Sequence, residues 1–352
     1  MSAMTEQGLL ASFEQHRREL RLHCYRMLGS SHDTDDVLQE TAVRAWRSKE
    51  SLQDPASVRA WLYRIASNVC FDELQRRRAR QLPYEAAPAA PPDDLRVAPA
   101  QPDAWVEPCP AAWFDEVTPD PAARYELRES VALAFVAAMQ HLTPVQRAAL
   151  LLRDVVGLSA QETAQALEIG VEAANSALFR ARSAVDAKIA TRVSGAGAAS
   201  AADDHVLARY LAAWNQIDVE AFVTLLHDEV RTTMPPSPTW IAGRASNVEF
   251  YRPMFAAQRP GSFVAIPTRA NARAAFAFYR ALSSSEPHLL RAIQLVELRD
   301  QAVVSIEHYL LPELGPAFGL PRELGRGHFD AAEVALPCLD LAAFITRQKR
   351  SP

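Results

Sequence analysis

At 352 residues and 49% hydrophobic content, the chain is too long for one ordinary domain and too apolar to be disordered, so two or three packed domains are expected. Its formal net charge of −5 argues weakly against a stand-alone nucleic-acid binder, although where the charge sits matters more than the sum. No apolar run approaches the roughly 20 residues of a membrane helix, and the start MSAMTEQGLLASFEQHRREL lacks a signal peptide's basic and apolar regions, so a cytoplasmic protein with no membrane partner is expected. Cys24, Cys70, Cys109 and Cys338 are scattered without a Cys-x-x-Cys pair. They read as free thiols packed as small apolar groups, and no metal or cofactor is expected.

Residues 1–82 hold 13 Lys/Arg against 11 Asp/Glu, a balance of +2, and read as all helix. In SSHDTDDVLQETAVRAWRS, Asp33 is the expected N-cap, and Leu38, Ala42 and Ala45 form an apolar stripe at helical spacing. Asp35/Gln39 and Asp36/Glu40 lie beside that stripe. KESLQDP breaks the chain, and a long helix is expected from Pro55 to Arg80. Val58, Leu62, Ile65 and Val69 make its buried face; Trp61, Arg64 and Asn68 make a second stripe, and the helix ends in QRRRAR.

Residues 83–127 hold 2 Lys/Arg against 9 Asp/Glu, a balance of −7, and are Pro-rich; they read as an extended linker. Residues 128–192 balance at +1 and carry two capping boxes, Thr143-Pro-Val-Gln146 and Ser159-Ala-Gln-Glu162. Gly157 ends the helix between them and Gly170 sits in the last turn, which gives a helix–turn–helix. SGAGAAS at 194–200 is a second linker. The part from 203 to 345 changes character. Val206, Tyr210, Trp214 and Ile217 share one helix face, and SFVAIPTR, AAFAFYRAL, LLRAIQLVEL and AVVSIEHYLL read as strands, the last two joined through RDQ as a hairpin. An α+β domain with helices on a curved antiparallel sheet is expected.

On the helix from Val171, Ala174, Leu178, Ala181 and Val185 fall on one side. Glu172, Asn175, Ser176, Phe179 and Arg180 are left outward, and Arg182 lies nearer the end, within reach of phosphate. A recognition helix offers such outward residues to base edges: Asn to adenine, Arg to guanine, Phe to a thymine methyl. By itself the pattern also fits a helical bundle with a solvated polar face. The weak local charge implies modest affinity without a larger partner.

LHCYRMLGSSHDTDDVLQETAVRAWRS, SVRAWLYRIASNVCFDELQRRR and LTPVQRAALLLRDVVGLSAQETAQALEIGVEAANSALFRARSAV, taken in order, closely resemble the bacterial sigma-70 family, extracytoplasmic-function type, over nearly all of residues 9–190. The resemblance implies two all-α sigma domains, residues 1–82 and 128–192, the second a helix–turn–helix. Their partners would be RNA polymerase core, through the β′ clamp and β flap, and promoter DNA. It assigns polymerase binding to Asp35, Asp36, Gln39, Glu40, Arg44 and Trp46. Family members often carry Phe where this chain has Ala42, so apolar contact is expected to be weaker there. Capture of the minus-ten strand falls to the loop 48–56 with Arg59, Trp61, Arg64 and Asn68, where aromatic and Arg groups stack on bases and hold phosphates. Trp61 also reads as a core-edge tryptophan, and RRRAR as either a phosphate tracker or a solvated helix end. Minus-35 reading falls to Glu172, Asn175, Ser176, Phe179, Arg180 and Arg182. In the linker, AWVEPCPAAWFDE resembles a Trp–Pro–acidic motif of the subgroup with an added C-terminal domain, where it is thought to contact that domain.

HVLARYLAAWNQIDVEAFVTLLHDEVRTTMPPSPTWIAGRASNVEFY resembles SnoaL-like (nuclear transport factor 2-like) domains, which implies a cone closed by a bent sheet around an apolar pocket for a small ligand. Trp214, Met234, Trp240, Arg269, Tyr279 and His308 are the expected pocket residues. Some members use an Asp/His pair. His227 and Asp228 are sequence neighbours at a helix end and make a poor dyad, which leaves His308, itself more simply a satisfied pocket-lining histidine. The expected protein is not an enzyme: it directs transcription initiation by binding, and its C-terminal domain regulates it by docking on the linker or on the sigma domains. Two rivals remain: a stand-alone helix–turn–helix regulator with a ligand-sensing domain, and a SnoaL-like enzyme fused to a sigma module.

Overall fold

The computed structural model describes residues 5–91, 102–114, 132–190 and 201–325, apart from Gln53, Arg78 and Ser284. It divides into two compact units, residues 1–81 with 106–193 and residues 82–105 with 194–352. Cys338, the linker's residues 115–127 and the end of the expected C-terminal domain lie outside the described residues.

In the helical unit, α1 (Glu6–Leu28) starts on a Thr5 cap and ends on Gly29, whose φ of 68° suits a residue without a Cβ. A Cβ there would also meet the Gln140 side chain at 3.1 Å. For α2 (Ser31–Arg47) the N-cap is Ser30, whose hydroxyl accepts the Asp33 N–H at 3.1 Å. The expected cap, Asp33, instead stands in the first turn, where a carboxylate complements the helix dipole. Two 3₁₀ turns, Lys49–Ser51 and Pro55–Ser57, lead into α3 (Val58–Arg76). This helix stops short of the expected Arg80. The backbone turns extended at Arg77, and both Arg77 and Arg80 ion-pair with Asp33, at 2.9 and 2.7 Å.

The second helical part comprises α4 (Leu133–Gln140), α5 (Pro144–Leu150), which runs into a π-turn at Leu151–Val155, α6 (Ala160–Leu167) and α7 (Val171–Ala190). Both capping boxes form, on Thr143/Gln146 and Ser159/Glu162. Gly157 takes a φ of 78°, whereas α6 ends on a left-handed Glu168 rather than at Gly170. One apolar core runs from Leu20, Leu62 and Cys70 through Met139 and Leu151 to Leu178 and Ala181. The two helical parts therefore share a core, because helices as short as α4–α6 cannot enclose much apolar surface alone.

Val106–Phe114 is no extended linker. The Val106 N–H donates to the Gln81 carbonyl (3.1 Å) and the Glu107 N–H to that of Gly29 (2.8 Å), while Tyr25 Oη donates to the Glu107 carbonyl (2.9 Å). Proline removes donors from this stretch, but Val106, Cys109, Trp113 and Phe114 supply apolar groups that are buried.

The second unit holds a seven-stranded sheet: β1 (Leu226–Thr233), β2 (Trp240–Ala242), β3 (Phe263–Ala270), β4 (Arg273–Arg280), β5 (His288–Arg299), β6 (Ala302–Tyr309) and β7 (Glu323–Leu324). The order is β2-β1-β6-β5-β4-β3, with β7 also on β5. Every pair is antiparallel except β1 with β6, a departure from the expected all-antiparallel sheet that arises because β6 returns beside β1 after the β3–β5 meander. The RDQ hairpin forms, with positive φ at Asp300 and Gln301 (52° and 59°), the twist that suits a two-residue loop. Helices α8 (Ala201–Gln216), α9 (Val219–Thr224) and α10 (Arg244–Ala256) supply Tyr210, Trp214, Phe222, Tyr251 and Phe255 to an aromatic core against Phe276 and Phe278. No described helix is long and apolar enough to cross a membrane.

Candidate polymerase and promoter surfaces

On α2, Asp36, Glu40 and Arg44 line a groove of about 350 Å³ against Asp72, Glu73 and Arg76 of α3. Arg44 donates to Glu40 (2.8 Å) and Asp72 (2.7 Å), and those bonds hold its pKa above the usual arginine value. Gln39 is exposed. Trp46 is 57% exposed beside exposed Val43, with Lys49 over its ring at 5.6 Å. Asp35 instead pairs with Arg21 of α1 at 3.0 Å. Sequence reading missed Asp72 and Glu73 and gave Arg76 only as part of the RRRAR helix end, since nothing local says that α3 forms the groove's other wall.

The expected minus-ten residues are largely occupied. Trp61 is buried and donates its N–H to Ser51 (3.1 Å), as a core-edge tryptophan does. Arg59 donates to Glu19 (2.9 Å) and to the Val156 carbonyl (3.2 Å). Arg64 is 4.0 Å from Glu168, and Asn68 is half-buried. In the RRRAR tail, Arg80 is buried between Asp33 and Glu107. Glu107, which the sequence placed in the linker, accepts from the Ser30 hydroxyl (2.8 Å) and the His32 N–H (3.2 Å) at the start of α2. The fully buried His23 lies 3.0 Å from Ser67 of α3, and desolvation pulls its pKa down to about 3.

Helix α7 is different. Ala174, Leu178, Ala181 and Val185 are buried, while Glu172, Asn175, Ser176 and Arg180 are exposed and Phe179 is 73% exposed. Only Arg182 departs from its expected open position: it makes a two-point ion pair with Asp154, at 2.6 and 2.8 Å.

In the second unit the six expected pocket residues do not converge. Trp214 and His308 meet, with ring centroids 6.0 Å apart. Tyr279 follows Phe278 on β4, so it points through the opposite face of the sheet, where its hydroxyl donates to the Pro321 carbonyl (2.9 Å). Arg269 is exposed near the end of β3 and Met234 is half-buried. Trp240 donates its N–H to the Ala87 carbonyl (2.7 Å), and its own carbonyl accepts the Ala90 N–H (2.8 Å). Trp105 likewise donates to the Pro236 carbonyl (2.8 Å), and Arg231 stacks over Tyr84 at 4.2 Å. Residues that read as pocket and linker thus hold each other, because an indole N–H beside an unpaired linker carbonyl forms a bond that no local pattern announces.

Around His308 runs a chain of neutral groups. Tyr210 donates to Gln294 (2.6 Å), the Gln294 amide lies 2.9 Å from His308 Nδ1, and Tyr251 Oη lies 2.9 Å from Nε2. Burial lowers the His308 pKa to about 3, so the ring is neutral at physiological pH. His227 accepts the Glu229 N–H and Asp228 is exposed, so the two form no dyad.

Comparison with known proteins agrees with this architecture. The models for Sigma-70 region 2, Sigma-70 region 4 and the SnoaL-like domain match residues 12–80, 132–185 and 207–306. The chain is 40% identical to the ECF RNA polymerase sigma factor SigG of Mycobacterium tuberculosis, over 89% of this chain and 84% of that protein. It is 29% identical to SigJ of the same organism over 64% of each chain. The crystal structure of M. tuberculosis SigJ superposes with a TM-score of 0.56 at 22% identity, covering 89% of this chain and all of that one, a likeness of fold. The chain belongs to the extracytoplasmic-function RNA polymerase sigma factors, which direct transcription initiation, and it carries a SnoaL-like C-terminal domain. RNA polymerase core and promoter DNA are the partners of that family.

Proposed function

We propose that α7 reads the minus-35 element as duplex, that the α2 groove with Trp46 binds the β′ clamp, and that α3 captures the minus-ten strand once polymerase is bound, with the second helical part on the β flap. The observation that carries this reading is the α7 face: Asn175, Ser176, Phe179 and Arg180 stand exposed on a helix whose other side is buried. Such a face gives donors, an acceptor and an apolar group to the major groove. The C-terminal domain acts as a regulator through the linker residues it holds, Tyr84, Ala87, Ala90 and Trp105, and not as a catalyst. What supports this is that His308 sits among neutral partners and that the expected pocket residues do not converge. The test is initiation by purified core polymerase with the full-length chain and with F179A/R180A. The double variant should still bind core but lose initiation from promoters with a minus-35 element by at least about tenfold. Undiminished initiation by the variant, or a wild-type chain that does not bind core, overturns the reading.

A further inference from the structure

Burial fixes which side of α7 packs inward: Ala174, Ala177, Leu178, Ala181 and Val185 are all in the core. Opposite them, Glu172, Ser176, Phe179 and Ser183 follow one another three or four positions apart and are all exposed. On a helix that spacing makes one row down the middle of the outer side. The arginines flank the row and do not join it. Arg180 is exposed, and Arg182 is held at two points by Asp154, at 2.6 and 2.8 Å. Ser183 gives its hydroxyl proton to the Phe179 carbonyl at 3.1 Å, so that proton is spent within the helix. Phe179 is 73% exposed, against 63% for Leu10 and 57% for Trp46.

The charges on this side decide how it can bind. Glu172 balances Arg180, and Asp154 neutralises Arg182. A helix that gains its affinity from phosphates needs an excess of cations, because that affinity comes from releasing the counterions of the duplex. This side of α7 has no such excess, so its gain must come from base edges. In the major groove a thymine presents a methyl group, and an apolar side chain is what recognises it. Phe179 is the apolar group of the row. Contact between the two takes apolar surface of both out of water, and salt does not screen a gain of that kind.

We propose that Phe179 is the specificity-determining residue of α7 and reads the 5-methyl group of one thymine in the minus-35 duplex, while Arg180 supplies affinity. The inference rests on the reading of α7 as a duplex reader, and the experiment separates the two. The full-length chain with core polymerase first selects minus-35 sequences from a randomised promoter pool. Each thymine of the selected element is then replaced by deoxyuridine, which keeps the pairing and removes only the methyl. At one position the replacement should weaken wild-type binding about three- to fivefold. F179A should lose that discrimination and show no thymine preference there in its own selection, whereas F179L should keep it. R180A should weaken binding to both duplexes alike. The wild-type ratio should hold from about 50 to about 200 mM salt while total affinity falls. A selected element with no methyl-sensitive position, or an F179A chain as sensitive as the wild type, overturns the assignment and leaves duplex reading in place. A ratio that collapses with salt overturns it too, since the choice would then be ionic. If selection returns no minus-35 preference at all, duplex reading fails and the assignment fails with it.

Discussion

Helices α3 and α7 carry similar side chains, arginine, asparagine and an aromatic, yet they stand in opposite states. On α7 the side chains are solvated, and Phe179 is 73% exposed. On α3, Trp61 has given its N–H to Ser51, Arg59 its N–H groups to Glu19 and Val156, and Arg64 faces Glu168. What makes a surface ready for nucleic acid is therefore whether its donors already have partners. A contact of Trp61, Arg59 or Arg64 with a strand would first have to replace an internal one, so its net gain per hydrogen bond would be small.

Acid should have the largest effect, because it bears on a buried histidine packed against α3. His23, packed on Ser67 of α3, has a folded pKa of about 3 against roughly 6.5 in the unfolded chain. Between these values the unfolded state binds the extra proton. Stability is full above about pH 6.5 and falls as pH drops towards 3, by about 1.4 kcal/mol per pH unit for one histidine. His308 adds the same dependence to the C-terminal unit. Urea melts of wild type and H23Q from pH 7.5 to 4.5 should show a shallower loss for the helical unit in the variant; equal slopes would remove His23 as the cause.

A smaller effect tests whether α3 is truly occupied. Arg59→Ala should cost the free chain no more than about 1 kcal/mol, since its ion pair is partly exposed. It should reduce minus-ten strand capture only when core is present. A loss of the same size without core would mean that α3 is already open. The smallest effect sharpens the α7 side. Asp154→Ala frees Arg182 from its ion pair. Duplex affinity should then rise two- to threefold, and the salt dependence should steepen by about one counterion. An unchanged salt slope would show that Arg182 does not reach phosphate.

Much of the fold was readable because its signals are local. The two capping boxes, the buried side of α7 and the RDQ hairpin each depend on residues within a few positions of one another, and each formed. For α2, Ser30 and Asp33 are both good caps; Ser30 takes that position, and Asp33 instead accepts from Arg80, 47 positions beyond it. The expected pocket residues part for a similar reason: Trp240 bonds the Ala87 carbonyl and Tyr279 the Pro321 carbonyl, partners that the neighbouring sequence does not record.

The sequence by itself determined which segments are helix and strand, which side of α7 faces outward, and which family the motifs resemble, since periodicity and capping act over one or two turns. Only the tertiary structure decided which of those groups are free. The ties of Arg59 to Val156, Arg147 to Met27, Glu107 to Ser30 and Trp240 to Ala87 join positions 97, 120, 77 and 153 residues apart. Such a bond forms when folding brings a donor to an acceptor that has lost its water, and nothing in the neighbouring sequence records which acceptor that is.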